Sequence, residues 1–519
     1  MPFSRILRAA IALVVVPAST SFAQGSSRAV VTPEHVKFVL SSLAHDSMEG
    51  RGTGTRGSMR AAKFIAEQFR LAGLQPAGDS GFFQHVPMVT RAIDPSSALS
   101  VDGATLRLGS DFSVSAGRAD PASLDGVQVI FGGVFGDTAN ALTADQVRGK
   151  LVVFTAAPPA NVGGGRGRPP APVSCREAPA DSTARGGRRG GGGGGRGRGG
   201  FGGNGAALQG AAGIATIEGD ELAPRTVWAA KHTGTAFVKD PAAGPAATGM
   251  PASVQLTRHA AEVLLGASAV AATKGMLGRT IHSSVKFIER PALGGNVVGI
   301  IPGSDASIGG DVVLVDAHYD HLGIAMPSAG STDSVYNGAD DDASGTTSVI
   351  EIARAIKAGP ASKRTLVFVA TTGEEVGLVG TNWYIAHPVR PLAAMVANLE
   401  IEMMDRPDSL AGGVGHAWLT GFERSTMGDT LAAHGLPIVK DPRPDQNFFG
   451  RSDNIAFARM GIPAHTLSSF DLHADYHRAN DEVGLANFEH MTGVINAGVV
   501  AVRLLADGFT PRWYAGCKP

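Results

Sequence analysis

From residue 296 onward the chain alternates short apolar runs with amphipathic stretches, and this alternation limits the folds that it can adopt. N-V-V-G-I-I-P-G, D-V-V-L-V-D-A and R-T-L-V-F-V-A-T-T are β-branched runs of strand length, and the residues after Ala343 have helical spacing up to Gly359. This order predicts an α/β fold with a mostly parallel mixed sheet covered by helices on both faces. In such sheets ligands gather at the carboxyl ends of the strands.

Histidines and carboxylates recur in short turns beside these runs. In chain order the turns read A-H-Y-D-H-L-G, N-G-A-D-D-D-A-S-G, T-T-G-E-E-V-G, A-N-L-E-I-E-M and D-Y-H-R-A-N-D. Taken alone, each of these turns is explained by a structural role and not by a functional one. Taken together, their acids would be desolvated and would repel one another unless cations neutralised them. Imidazole and carboxylate donors without thiolates suit two zinc ions, which can polarise a carbonyl and activate water. The residues therefore predict a hydrolase.

These ordered turns resemble the co-catalytic two-zinc exopeptidase family that includes aminopeptidase Y and secreted bacterial leucyl aminopeptidases. Glutamate carboxypeptidase and glutaminyl cyclase are relatives of this family. The resemblance implies the zinc exopeptidase fold for a discontinuous catalytic domain of residues 33–95 and 286–510. Residues 96–285 between the two parts resemble an inserted, smaller, β-rich protease-associated domain.

The resemblance also implies two zinc ions per chain. Their expected ligands are His318, Asp341, Glu375, Glu400 and His477. Asp341 would bridge the two ions, and the peptide bond after it is cis in the family. This chain departs from the family at Glu400, where many members have Asp. Glu402, two residues further on, would point to the same face of a strand; a supporting place behind the ligands is expected for it, with a share in the ligand role left open.

The remaining roles follow from the same resemblance. Glu374 would be the general base for a metal-bridging hydroxide, and would pass the proton to the leaving amine. Tyr476 would donate to the oxyanion, unless it is only a core tyrosine. Asp320 would orient His318 from behind the metal.

The first 23 residues read as a signal peptide, with a basic end, an apolar stretch from Ile6 to Val16 and a small-residue cleavage site after Ala23. The apolar stretch is too short to span a membrane. We therefore expect an exported protein, secreted or periplasmic, without a membrane span. Cleavage removes Arg5 and Arg8 and makes the formal net charge of −1 more negative, which argues against a general nucleic-acid binder.

A Gly/Arg-rich tract at residues 163–205 cannot bury a core and is expected to be a disordered loop. RNA binding is the alternative interpretation of this tract, but Phe201 is its one aromatic residue for base stacking. Cys175 and Cys517 are the only cysteines of the chain. Export permits a disulfide between them, and the sequence leaves their pairing open.

The expected activity is therefore that of an exported zinc aminopeptidase acting on peptide substrates. Two alternatives stay open. A carboxypeptidase or dipeptidase would use the same site with a basic pocket for the substrate carboxylate, and Arg406 or Arg451 would contribute to that pocket. A receptor-like member would keep the fold without catalysis. The oligomeric state cannot be read from the sequence.

Overall fold

The computed structural model describes residues 31–117, 120–137, 141–156, 175, 208, 210–232, 234–239, 249–327 and 330–519. The predicted signal peptide at 1–23 lies outside these residues. So does the Gly/Arg-rich tract at 163–205, apart from Cys175.

Several helices begin at a residue whose side chain caps them. Thr32 accepts a hydrogen bond from the backbone N–H of His35 at the start of the first helix, where Pro33 is the first helical residue. In chain order the helices are α1 Pro33–Leu43, α2 Arg56–Leu71, α3 Ala144–Val147, α4 Pro224–His232, α5 Arg258–Leu265, α6 Gly345–Ala358, α7 Val379–Ala386, α8 Thr426–Ala433, α9 Asn454–Arg459 and α10 Phe488–Ala506.

The strands fall into two groups along the chain. Those before the second part of the predicted catalytic domain are β1 Gln75–Pro76, β2 Phe83–His85, β3 Met88–Ile93, β4 Ala98–Val101, β5 Ala104–Arg107, β6 Phe112–Val114, β7 Val127–Val134, β8 Leu151–Thr155, β9 Gly213–Gly219, β10 Thr235–Val238, β11 Ala252–Thr257 and β12 Leu277–Ser283. The later ones are β13 Phe287–Pro291, β14 Gly295–Ile301, β15 Val312–His318, β16 Gly323–Ile324, β17 Val335–Tyr336, β18 Thr365–Thr371, β19 Met395–Ile401, β20 Ala417–Leu419, β21 Ile438–Lys440 and β22 Ala464–Ser468.

The largest sheet in the described part of the chain has nine strands in the order β1-β14-β18-β15-β19-β22-β20-β21, with β2 also paired to β14. Its central strands β18, β15, β19 and β22 are parallel. On either side of them β14 and β20 pair in the antiparallel direction. The carboxyl ends of the four central strands therefore lie along one edge of a mixed sheet.

Alternation along β15 divides the core into two layers. Val313 and Val315 pack with the buried faces of α1, α2, α6 and α10, whereas Val312 and Leu314 pack with residues of α7 and α9. Burying each such side chain contributes about 1.5–3 kcal/mol to folding. The predicted α/β fold, with helices on both faces of a mostly parallel sheet, is confirmed.

The described strands from β4 to β12, apart from β10, form a second sheet in the order β5-β4-β12-β7-β8-β9-β11-β6, and β10 pairs with β3 instead. Its core is separate, with Leu99, Val129, Leu151 and Ile281 buried together. The chain enters and leaves this unit through β3 and β13, which pair antiparallel. That the unit is a protease-associated domain, with boundaries at 96 and 285, remains a prediction.

A disulfide joins Cys175 to Cys517. It links the segment between β8 and β9 to the end of the chain, and it answers the question of pairing that the sequence left open. Among the described residues, no helix combines the length and the apolar character needed to cross a membrane.

Candidate metal centre

The ends of the parallel strands bring the predicted site residues together. His318 is the last residue of β15, Glu375 follows β18, and His477 lies in the loop after β22. Asp341 comes from the turn Ala339–Ser344, immediately before α6. The fold therefore converts five distant turns into one cluster, as the strand–helix alternation predicts.

Two groups of donor atoms form within this cluster. The three-donor group consists of His318, Asp341 and Glu402, with His318 Nε2 3.3 Å from Asp341 Oδ1 and 3.8 Å from Glu402 Oε1. The four-donor group consists of His321, Asp341, Glu375 and His477. Within each group the candidate ligand atoms lie within 4.8 Å of one another.

Asp341 belongs to both groups because its two oxygens face in different directions. Oδ1 faces His318 Nε2, while Oδ2 lies 3.0 Å from His477 Nε2. A carboxylate placed in this way can bridge two cations. The peptide bond between Asp341 and Asp342 is cis, as the resemblance implied.

Several atoms that face the cluster lack a protein partner. His318 Nε2, His321 Nδ1 and Glu375 Oε1 are buried and form no hydrogen bond with any described residue. Leaving such groups unpaired costs about 1–3 kcal/mol each. Two cations placed within the donor groups would satisfy them, so the residues present fit a pair of metal ions.

The expected ligand Glu400 does not belong to either donor group, and Glu402 lies in the three-donor group where Glu400 was expected. Glu400 lies within β19, and its oxygens accept hydrogen bonds from the Ser452 and Thr466 hydroxyls and from the backbone N–H groups of Asp453 and Asn454. These donors occupy the lone pairs that a metal would need. Burial, with the charges of Glu402 and Asp453, also raises the pKa of Glu400 to about 8.

His318 is oriented by a main-chain atom. Its Nδ1 lies 3.0 Å from the backbone oxygen of Asp320, which fixes the proton on Nδ1 and leaves the Nε2 lone pair facing the cluster. The Asp320 carboxylate has other hydrogen-bond partners. It accepts hydrogen bonds from the backbone N–H groups of Gly373 and Glu374 and from the Thr53 hydroxyl. Asp320 therefore supports both the histidine and the loop that carries the Glu-Glu pair.

Each acid of the D-D-D turn has its own role. Asp340 contacts His473 Nε2 at 2.9 Å and accepts the backbone N–H of Asp405. Asp341 faces the donor groups. Asp342 accepts the N–H of Gly345 at the start of α6 and that of Met403 after β19. The three carboxylates thus have separate partners, although burial raises the pKa of Asp342 and the charge of Asp341 still adds to this effect.

Electrostatics at the cluster favour cations. Burial lowers the pKa of His477, but the Asp341 and Glu375 carboxylates outweigh burial and raise it to about 10. Burial raises the pKa of Glu374 well above its usual range, and the charge of Glu375 beside it adds to this effect. A Glu374 side chain with a raised pKa is a competent proton acceptor near neutral pH.

Tyr476 stacks on the imidazole of His477, with ring centroids 3.9 Å apart. Burial and the negative charges of Asp341 and Glu375 raise the pKa of its hydroxyl. Tyr476 therefore keeps its proton at neutral pH, and its neutral hydroxyl can donate a hydrogen bond.

Sequence reasoning missed His321 and Arg51. His321 lies three residues after His318 in the same quoted turn, A-H-Y-D-H-L-G, and this spacing is the signal that could have found it. Arg51 is fully buried and donates to the backbone oxygens of Leu43, Tyr319, Asn337 and Gly338. It holds the ends of the two segments that carry His318 and Asp341, and no motif marked it.

Residues 296–496 match the family model described as peptidase family M28. Aminopeptidase YwaD of Bacillus subtilis (strain 168) is 26% identical over 162 residues, which cover 29% of this chain and 30% of YwaD. A probable leucine aminopeptidase 2 of Aspergillus oryzae is 29% identical over 198 residues, which cover 33% of this chain and 39% of that protein. The chain thus spans about a third of the length of these curated relatives.

Among solved structures, that of BSAP, a zinc aminopeptidase from Bacillus subtilis, matches with a TM-score of 0.51 and 18% identity. The match covers 92% of this chain and 96% of that one. At this identity the likeness shows a shared fold. The resemblance drawn from the sequence is confirmed.

Proposed function

We propose that this chain, whose residues 296–496 match the model of peptidase family M28, is a zinc aminopeptidase releasing N-terminal residues from peptides. The observation that carries the proposal is the pair of donor groups sharing Asp341, with Glu374 next to the ligand Glu375. Relatives that are themselves named aminopeptidases support the same substrate end.

In this proposal each donor group holds one zinc ion. Asp341, Glu375 and Glu402 supply three negative charges against the four positive charges of two ions, which leaves a positive site. When bound, the two ions would polarise the scissile carbonyl and lower the pKa of water. The neutral imidazoles of His318 and His477 complete the ligand sets without adding charge.

Glu374 is the proposed proton carrier. Its backbone is fixed through Asp320, and its raised pKa lets its carboxylate take a proton from the attacking water and return it to the leaving amine. Tyr476, stacked on His477, is the proposed hydrogen-bond donor to the oxygen that gains charge as the carbonyl is attacked.

A carboxypeptidase would need an available cation for the terminal carboxylate of its substrate. Arg406 contacts the carboxylates of Asp475 and Asp481, so its charge is already compensated. This observation argues against Arg406 as the cation of such a pocket, and the preference for an amino-terminal substrate rests on the relatives that are named aminopeptidases.

We also propose that the protein is exported. The disulfide between Cys175 and Cys517 suits an oxidising compartment, and residues 1–23 have the composition of a signal peptide.

Blocked peptides test the proposal. An unmodified peptide and its C-amidated form should be cleaved at similar rates, and the N-acetylated form should not be cleaved, with products identified by mass spectrometry. Activity should disappear with a chelator and return with zinc. Cleavage of the N-acetylated peptide from its carboxyl end would contradict the aminopeptidase assignment.

A further inference from the structure

We infer that His321 is itself a metal ligand, so that the four-donor group binds its ion through four protein side chains and the three-donor group through three. This inference rests on the proposed function, because it presupposes two bound ions. It adds a ligand and predicts that the two sites differ in affinity.

The His321 ring points into the cluster from a closed environment. The residue is 1% exposed, and Nδ1 lies 3.0 Å from Glu375 Oε1 and 3.8 Å from Asp341 Oδ2. Despite this proximity, neither His321 Nδ1 nor Glu375 Oε1 has a hydrogen bond with any described residue. The atoms are close without pointing at each other, as expected for donors directed at a common point between them.

The spacing of the four donors matches one small ion. Zinc holds nitrogen and oxygen ligands at about 2.0–2.2 Å in a tetrahedron, whose edges are then about 3.3–3.6 Å long. His477 Nε2 lies 3.0 Å from Asp341 Oδ2 and 3.2 Å from Glu375 Oε1. With the two His321 distances, these four edges range from 3.0 to 3.8 Å. The observed edges therefore bracket the expected value.

The backbone around His321 keeps the ring in this position. The His321 N–H donates to the backbone oxygen of Arg51. A Cβ atom at Gly338 would lie 2.5 Å from His321 Cδ2, so the ring packs directly against the Gly338 backbone. Gly338 has a φ of 54°, a conformation that favours glycine. The ring is thus held by main-chain packing.

A charged His321 paired with Glu375 is the alternative, and the arrangement argues against it. His477 Nε2 approaches the same Glu375 oxygen at 3.2 Å, and the two imidazole centroids are 5.6 Å apart. Two imidazolium ions converging on one carboxylate oxygen would repel each other. Two neutral imidazoles sharing one dication would not.

The two sites should differ as a result. Four protein ligands are typical of closed zinc sites, whereas three leave a position open for water or substrate. Two imidazoles also favour zinc over magnesium or manganese, which prefer oxygen ligands. The four-donor site should therefore hold zinc more tightly, and the three-donor site should exchange its metal more readily.

Zinc titration of the metal-free full-length protein against a chromophoric chelator tests this. The wild type should bind two zinc ions in two affinity classes. His321→Gln should weaken the tighter class by at least about 100-fold, the upper limit for loss of a supporting partner of a ligand. His318→Gln should weaken the other class and spare the tighter one. His434→Gln, at an exposed histidine, is the matched control and should change neither.

Cobalt gives a second measurement that needs no variant. The first equivalent of Co²⁺ added to the wild type should give the intense visible absorption of a four-coordinate site, and the second a weaker band. Two unaltered zinc classes in a folded His321→Gln protein would overturn the inference and leave the proposed function intact. If His321→Gln fails to fold, a weak first cobalt band would overturn it. A wild type that binds no zinc would instead overturn the proposed function.

Discussion

Two acidic regions of this protein lie side by side and differ in how their buried carboxylates are stabilised. Glu400 and Glu402 are two residues apart on the same chain segment. Glu400 belongs to what we call the Glu400 network, in which Ser452, Asp453, Asn454 and Thr466 donate hydrogen bonds to it. Glu402 belongs to the candidate metal centre. Several buried donor atoms that point into this centre form no hydrogen bond with any described residue.

Carboxylate composition alone therefore does not identify a metal site. A carboxylate whose lone pairs are already occupied contributes to folding, and one whose neighbours are unsatisfied is available to a cation. Substitutions in the two regions test this division.

Removing the shared ligand should affect both ions. Asp341→Asn replaces one bridging oxygen by an amide nitrogen whose lone pair is delocalised into the carbonyl group and cannot bind a metal, and should lower zinc content from two ions per chain towards zero and abolish turnover. Elemental analysis after dialysis measures the metal content. Retention of both ions in the folded variant would show that Asp341 does not bridge.

Removing the proton carrier should separate chemistry from metal binding. Glu374→Gln should keep two zinc ions and an unchanged KM, while kcat falls by at least about 10²–10⁴-fold. Steady-state kinetics and metal analysis on the same preparation provide the two values. A variant that turned over at the wild-type rate would remove Glu374 from the mechanism.

Paired amide substitutions compare the two regions directly. Glu402→Gln should lose the metal of the three-donor group and leave thermal stability of the metal-free protein nearly unchanged. Glu400→Gln should keep both metals and destabilise the fold by about 1–3 kcal/mol, because an amide NH₂ would face a backbone N–H donor. Denaturant unfolding and metal analysis distinguish them, and the reverse pattern would restore Glu400 as the ligand.

Acid should weaken the region around the Glu400 network through His465, next to Thr466. The buried ring contacts Thr420 O through Nδ1 and Ser425 Oγ through Nε2, and burial lowers its pKa to about 4. Between pH 6.5 and 4 the folded state binds fewer protons than the unfolded state. The contribution of His465 to stability is therefore fully present above about pH 6.5 and falls by about 3 kcal/mol towards pH 4.

His465→Gln should flatten this dependence of the unfolding free energy on pH, whereas His259→Gln, at an exposed position, should leave it unchanged. Measuring metal-free protein separates the effect from metal release. Equal slopes in wild type and His465→Gln would assign acid sensitivity to other groups.

The sequence predicted the sheet and much of the cluster because both follow from periodicity. Runs such as D-V-V-L-V-D-A fix a strand, and parallel strands bring their carboxyl ends to one edge. His318, Asp341, Glu375 and His477 converge for that reason. Their individual roles as ligands remain predictions.

The choice between Glu400 and Glu402 could not be made in the same way. Both residues point to the same face in an alternating run, so the decision depends on where β19 ends, and it ends at Ile401 between them. His321 was missed because its position depends on the turn after β15, which is fixed by Arg51 and Gly338 from elsewhere in the chain.

Arg51 limits how far the chain can be shortened from its amino-terminal end. It is separated by 268 residues from Tyr319, one of the carbonyls that it binds, and it precedes the segment shared with the family. A fragment starting at residue 296 would leave the backbone oxygens of Tyr319, Asn337 and Gly338 without this partner. A stable fragment that contains the donor groups therefore has to include the amino-terminal helices. A truncation designed only on the residues that match the family should yield an unstable product.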